Sequence, residues 1–131
     1  MKTNLNEIAK ELHESAIKNG FWDEKREIGT LLMLVVSELA EALEADRKDQ
    51  KADVYTFENC ITTDDILECD KEYYEKQSFD IYIKDTFEDE IADTFIRLFD
   101  LVGHMGIDID KHIELKMKYN QTREYKHGKK Y

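Results

Sequence analysis

Residues 27–46 read Glu27-Ile28-Gly29-Thr30-Leu31-Leu32-Met33-Leu34-Val35-Val36-Ser37-Glu38-Leu39-Ala40-Glu41-Ala42-Leu43-Glu44-Ala45-Asp46. The length and apolar density of this stretch predict one long helix from about Glu27 to Asp46. Its first half is apolar almost all the way round, and a helix of that kind must be covered on more than one side. In a chain of 131 residues a second subunit is a ready source of that cover. The second half changes character, with acids interleaved among leucine and alanine.

Working outward, the stretch from about Thr86 to Val102 places Phe87, Ile91, Phe95, Leu98 and Val102 on one helical face, with Gly103 and Gly106 at its end. Upstream, Leu5 to Lys18 sets Leu5, Ile8, Leu12 and Ala16 at helical spacing. Thr3 or Asn4 is available as a cap and Asn19-Gly20 as a stop. Downstream, Asp108 caps a helix from Ile109 to about Thr122. The pattern weakens between residues 47 and 85. There Lys48 to Asp53 reads as a solvated loop, and Thr62-Thr63-Asp64-Asp65 as the cap of a short helix through Tyr74. The alternation of Phe79, Ile81 and Ile83 within Ser78–Lys84 reads as a short strand. Proline is absent and there are only five glycines, which points to long helices and few tight turns. The expected fold is all-α, one domain spanning residues 1–131. It has a four-helix bundle-like core, an irregular insertion at about 47–85 between the two central helices, and completion by dimerisation.

The net charge of −11 is uneven. From Lys116 to Tyr131 there are six Lys or Arg against the single acid Glu124, which leaves 13 basic and 29 acidic residues in the rest of the chain. Such a body repels bare polyanions, so a nucleic-acid polymer is not an expected partner. Phosphate ligands remain compatible if divalent cations bridge them to carboxylates. The longest apolar run, Leu31 to Val36, is too short to span a bilayer, and the polar N-terminus lacks the apolar stretch of a signal peptide. Cys60 and Cys69 form no Cys-x-x-Cys, and two thiols in a reducing compartment is the expected state. A soluble cytoplasmic protein without a membrane partner is expected.

The two central helices carry matching tetrapeptides, Glu38-Leu39-Ala40-Glu41 and Glu90-Ile91-Ala92-Asp93. Residues three apart lie one turn apart on the same face, so each pair can converge on one point. Ala40 and Ala92 keep bulk low for close helix approach. Like charges repel, and nothing structural asks a helix to set acids beside its apolar face. A hard cation such as Mg²⁺, with Mn²⁺ as a substitute, supplies the missing reason, because oxygen-only ligands suit it. The plainer reading is solvated acids, in a chain with 30 Asp and Glu. Two pairs in the same apolar context favour the metal set Glu38, Glu41, Glu90 and Asp93. Glu44, one turn further on, reads either as a supporting partner or as surface.

Ser37 to Glu44 followed by Glu88-Asp89-Glu90-Ile91-Ala92-Asp93 resembles the Glu-x-x-Glu … Glu-x-x-Asp pattern of MazG-like all-α nucleoside-triphosphate pyrophosphohydrolases. The stretch Lys116 to Arg123, then His127-Gly128-Lys129-Lys130-Tyr131, is similar to the C-terminal part of the same group. One departure is the link between the motifs, 48 residues from Ala42 to Asp89, where the family uses a much shorter one. The resemblance implies a bundle assembled as a homodimer or homotetramer. It also implies Mg²⁺-dependent cleavage of a nucleoside triphosphate to a monophosphate and pyrophosphate, in house-cleaning or nucleotide-pool control. Glu41 or Glu44 would then orient or deprotonate the attacking water.

Lys116, Asn120 and Arg123 share one face of the last helix and, with Lys129 in the tail, are candidates for phosphate contact; the plainer reading is a basic face that offsets the acidic body. Trp22 is a candidate for stacking on a base, against the commoner role of core or interface packing. Two other functions compete. A di-iron carboxylate bundle needs Glu-x-x-His pairs on core helices, and the only such pair is Glu124…His127 in the tail. A non-enzymatic helical interaction module would use the acids only for solubility.

Overall fold

The computed structural model describes residues 4–62 and 67–130, the Cys69 side chain excepted. Among these residues all regular structure is helical, as expected, and the helices pack on one another in a bundle-like way. The elements are α1 (Leu5–Lys18), α2 (Ile28–Arg47), α3 (Val54–Ile61), α4 (Lys71–Tyr82), α5 (Phe87–Met105) and α6 (Ile109–Gln121), with 3₁₀ turns at Glu68–Asp70 and Tyr125–Gly128. They divide into two compact units. One runs up to Arg26 and resumes at Leu98; the other is Glu27–Arg97.

In the first unit, α1 and α6 cap each other. Asn4 Oδ1 accepts the N–H of Glu7 at 3.2 Å, and the Asp110 carboxylate accepts those of Leu5 and Asn6 at 3.3 and 3.2 Å. In return Asn6 Oδ1 accepts the Ile109 N–H at 2.8 Å, while Asp108 accepts that of Lys111 at 3.1 Å. These bonds satisfy donors that a helix start leaves without a partner in the helix. Thr3, the other cap considered, lies outside the described residues. Gly103 does not flank the end of α5 but sits inside it, where a Cβ would stand 2.5 Å from the Ala9 carbonyl oxygen. Its lack of a side chain lets α5 approach α1 beside the buried Ala9, Leu101 and Val102. Gly106, at φ +62°, ends the helix.

In the second unit the insertion is not irregular. The α3 and α4 helices pack as a hairpin, with Phe57 edge-on to Phe79 at 6.2 Å and the Asp53 N–H donating to the Tyr82 carbonyl at 2.9 Å. Asp53 caps α3 through the Thr56 N–H at 3.0 Å. The expected strand at Ser78–Lys84 is instead the end of α4 and its stop, where Ile83 and Lys84 both donate to the Phe79 carbonyl. Phe79 turns towards Phe57 and Ile81 stays exposed, so three alternating apolar residues did not encode two sheet faces. Thr62 ends α3 rather than starting a helix, and Thr63, Asp64 and Asp65 lie outside the described residues.

Along α2 the buried residues are Leu31, Glu38, Ala42 and Ala45, a narrow stripe. Ile28, Leu32, Met33, Val36, Leu39 and Leu43 are exposed, so the described residues of this unit do not themselves supply the cover expected for the helix. No helix among the described residues is long and apolar enough to cross a membrane.

Candidate metal centre

The α2 helix carries Glu38 and Glu41 one turn apart, and α5 carries Glu90 and Asp93 in the same relation. The helices bring three of these acids together: one carboxylate oxygen each from Glu38, Glu90 and Asp93 lies within 4.8 Å of the other two. Glu41 is exposed and lines the same cavity of about 490 Å³. The alanines that are buried in this unit are Ala42 and Ala45. Ala40 and Ala92, expected to make room for the helix approach, are exposed.

The electrostatics follow from burial. Glu90 is only 5% exposed, and its carboxylate makes no hydrogen bond or ion pair among the described residues. Burial first, then the neighbouring charges of Glu41 and Glu38, push its pKa from 4.5 to about 7. The Asp93 carboxyl is raised for the same reasons, burial first and then Asp89 and Glu38, with Arg97 pulling the other way. Glu38 is paired, accepting a hydrogen bond from Arg97 Nε. Outside the cluster, Glu88 accepts the Ala52 N–H at 2.9 Å, which holds its carboxyl below the usual range. It ties the α2–α3 connection to the start of α5.

Buried acids this close raise one another's free energy, and each normally finds a donor or a cation. Among the described residues no donor meets the Glu90 carboxylate, and Glu90 lines the cavity. An all-oxygen donor set with two buried members is of the kind that could hold a hard divalent cation, with Glu38, Glu90 and Asp93 as its ligands.

Of the other sequence candidates, Glu44 belongs to the second unit and Trp22, Lys116, Asn120, Arg123 and Lys129 to the first. Glu44 pairs with Arg47 at 3.6 Å and Lys48 at 3.5 Å on the surface and does not line the cavity. Lys116 and Arg123 flank the Tyr119 ring at 5.2 and 5.8 Å in the first unit. Asn120 Oδ1 is buried there with no partner among the described residues, and Lys129 follows the C-terminal 3₁₀ turn. Trp22 donates to Asp100 at 3.0 and 3.2 Å and stacks on His104 at 4.0 Å. Asp100 also meets His13 Nδ1 at 2.7 Å, so Trp22 has the packing role set beside base stacking.

Sequence reasoning did not single out the remaining lining residues Asp80, Lys84, Asp85, Asp89 and Arg97. Asp89 and Arg97 stand four residues either side of Asp93, a spacing that a helical reading of α5 exposes. Asp80 on α4, and Lys84 and Asp85 just after it, had no such signal. Comparison of the chain with protein-family models, with curated proteins and with solved structures finds no match in any of the three.

Proposed function

We propose that the chain is a Mg²⁺-dependent nucleoside-triphosphate pyrophosphohydrolase of the MazG-like kind, working in the cytoplasm as a homo-oligomer. The observation that carries this reading is the carboxylate cluster of Glu38, Glu90 and Asp93, in which the buried residue Glu90 has no side-chain partner among the described residues. Glu38, Glu90 and Asp93 would hold the ion and Glu41 would complete the set. Mn²⁺ would substitute, because it accepts the same oxygen ligands. When bound, the ion neutralises phosphate charge and makes water a better nucleophile.

The reaction is attack of water on the α-phosphorus, with cleavage of the α–β anhydride to release a nucleoside monophosphate and pyrophosphate. Glu41, exposed and lining the cavity, would accept the proton of that water. Glu44 is held in surface ion pairs and is the weaker candidate for this role. Self-association is supported by the exposed stripe Leu32, Val36, Leu39 and Leu43 on α2, whose three- and four-residue steps suit packing against a second helix.

That stripe also favours the second reading, a helical interaction module without catalysis. Di-iron chemistry has no comparable support, since no histidine is among the described residues that line the cavity. The deciding experiment is release of pyrophosphate from a panel of standard and modified nucleoside triphosphates, with Mg²⁺ and with chelator. Release that requires Mg²⁺ and vanishes in Glu38→Gln supports the enzyme. No release from any member, with self-association intact, leaves the module.

A further inference from the structure

We propose that Arg97 is the phosphate-binding residue of this cavity, oriented by Glu38 so that its terminal nitrogens meet an oxygen of the triphosphate. The inference rests on the pyrophosphohydrolase reading and adds to it the residue that recognises the anion.

Arg97 follows Asp93 by one turn on α5, so both side chains leave the same helix face. Its Nε donates to Glu38, whose side chain is 7% exposed, while the Arg97 side chain itself is 40% exposed. One edge of the guanidinium is therefore tied to Glu38, and the partly exposed Arg97 side chain lines the cavity. The terminal nitrogens make no hydrogen bond to the described residues. A guanidinium is a planar fork of five donors and can serve a carboxylate on one edge and a phosphate on another. Lysine, a point charge on a flexible stem, cannot hold both with fixed geometry.

The charge of the cavity makes such a residue necessary. Seven acids line it, Asp80, Asp85 and Asp89 among them, against only Lys84 and Arg97. A triphosphate approaching this surface is repelled except where cations meet it. Lys84 is exposed, with no side-chain bond to order it among the described residues, whereas Arg97 is already oriented. Because Glu38 binds the guanidinium and would also bind the ion, the two positive charges that face a phosphate share one anchor.

The test is calorimetric, using Mg²⁺ alone and then an α,β-methylene triphosphate analogue at saturating Mg²⁺. It compares wild type, Arg97→Gln and Arg97→Lys, with circular dichroism to establish that each is folded. Arg97→Gln should weaken analogue binding roughly 10- to 100-fold, the size of a lost charged hydrogen bond. Mg²⁺ affinity should hold or tighten, because a cation competing for Glu38 is gone. Arg97→Lys keeps a charge beside Glu38 and so guards against a folding failure, yet it should recover little of the analogue affinity.

Analogue binding within twofold of wild type in both variants, with only Mg²⁺ affinity altered, would reduce Arg97 to a counter-ion of Glu38 and overturn the proposal. If wild type binds Mg²⁺ but no analogue, the pyrophosphohydrolase reading itself fails and Arg97 falls with it. The two failures are thus separate results.

Discussion

Changing Glu90 to glutamine removes the charge that the cavity tolerates least, while preserving size and shape. In the folded chain the carboxyl titrates at about 7 instead of 4.5, for reasons of burial and neighbouring acids. A raised carboxyl pKa means that the native state prefers the proton. Ionisation costs the fold nothing below 4.5, where both states are protonated, and the full amount above about 7. Stability of the metal-free protein should therefore fall as pH rises through that window. The interval corresponds to about 3 kcal/mol at most, and to about 1–3 kcal/mol once water in the open mouth of the cavity screens the repulsion. Asp93, raised for the same causes, adds in the same direction. The assay is urea unfolding of wild type and Glu90→Gln at pH 5 and pH 8, each with chelator and with Mg²⁺. In chelator at pH 8 the glutamine variant should be the more stable by that amount, and most of its advantage should disappear at pH 5. Mg²⁺ should reverse the order at pH 8, by stabilising wild type and leaving the variant, which has lost a ligand, little changed. Equal stability of the two proteins at pH 8 in chelator, with no response of wild type to Mg²⁺, would refute the reasoning about the cluster.

Gly103→Ala forces a Cβ against the Ala9 carbonyl oxygen at 2.5 Å and the His13 Cβ at 2.7 Å, so α1 or α5 must shift. Thermal melts should show a loss of about 1–3 kcal/mol, the usual range for overpacking, and an unchanged melt would mean that the helices do not meet there. Asp110→Ala strips two acceptors from the start of α1 and should lower stability by about 1 kcal/mol in chemical denaturation, without affecting Mg²⁺ binding. Leu32→Lys with Leu39→Lys places two charges on the exposed face of α2 and should shift the chain towards monomer in sedimentation. An unaltered sedimentation profile would locate self-association elsewhere.

The sequence by itself determined α1, α2, α5 and α6 to within about three residues, because caps, stops and helical periodicity are local signals that need no partner. Asn4 and Asp108 cap where expected. The same locality made the pairs Glu38/Glu41 and Glu90/Asp93 legible. What only the tertiary structure decided depends on contacts distant in the chain. Lys48–Asp53 is the exposed connection it was expected to be, but Phe57 meets Phe79 in the α3–α4 hairpin, where a strand at Ser78–Lys84 was expected. Tertiary packing buried Glu90 and left Glu41 exposed, although both sit in matching tetrapeptides. Arg97, 59 residues from Glu38, supplied a partner that no spacing within one helix encodes. Periodicity tells which side chains share a helix face, but burial and partners are set by what the fold brings opposite that face, and that carries the energetics of the site.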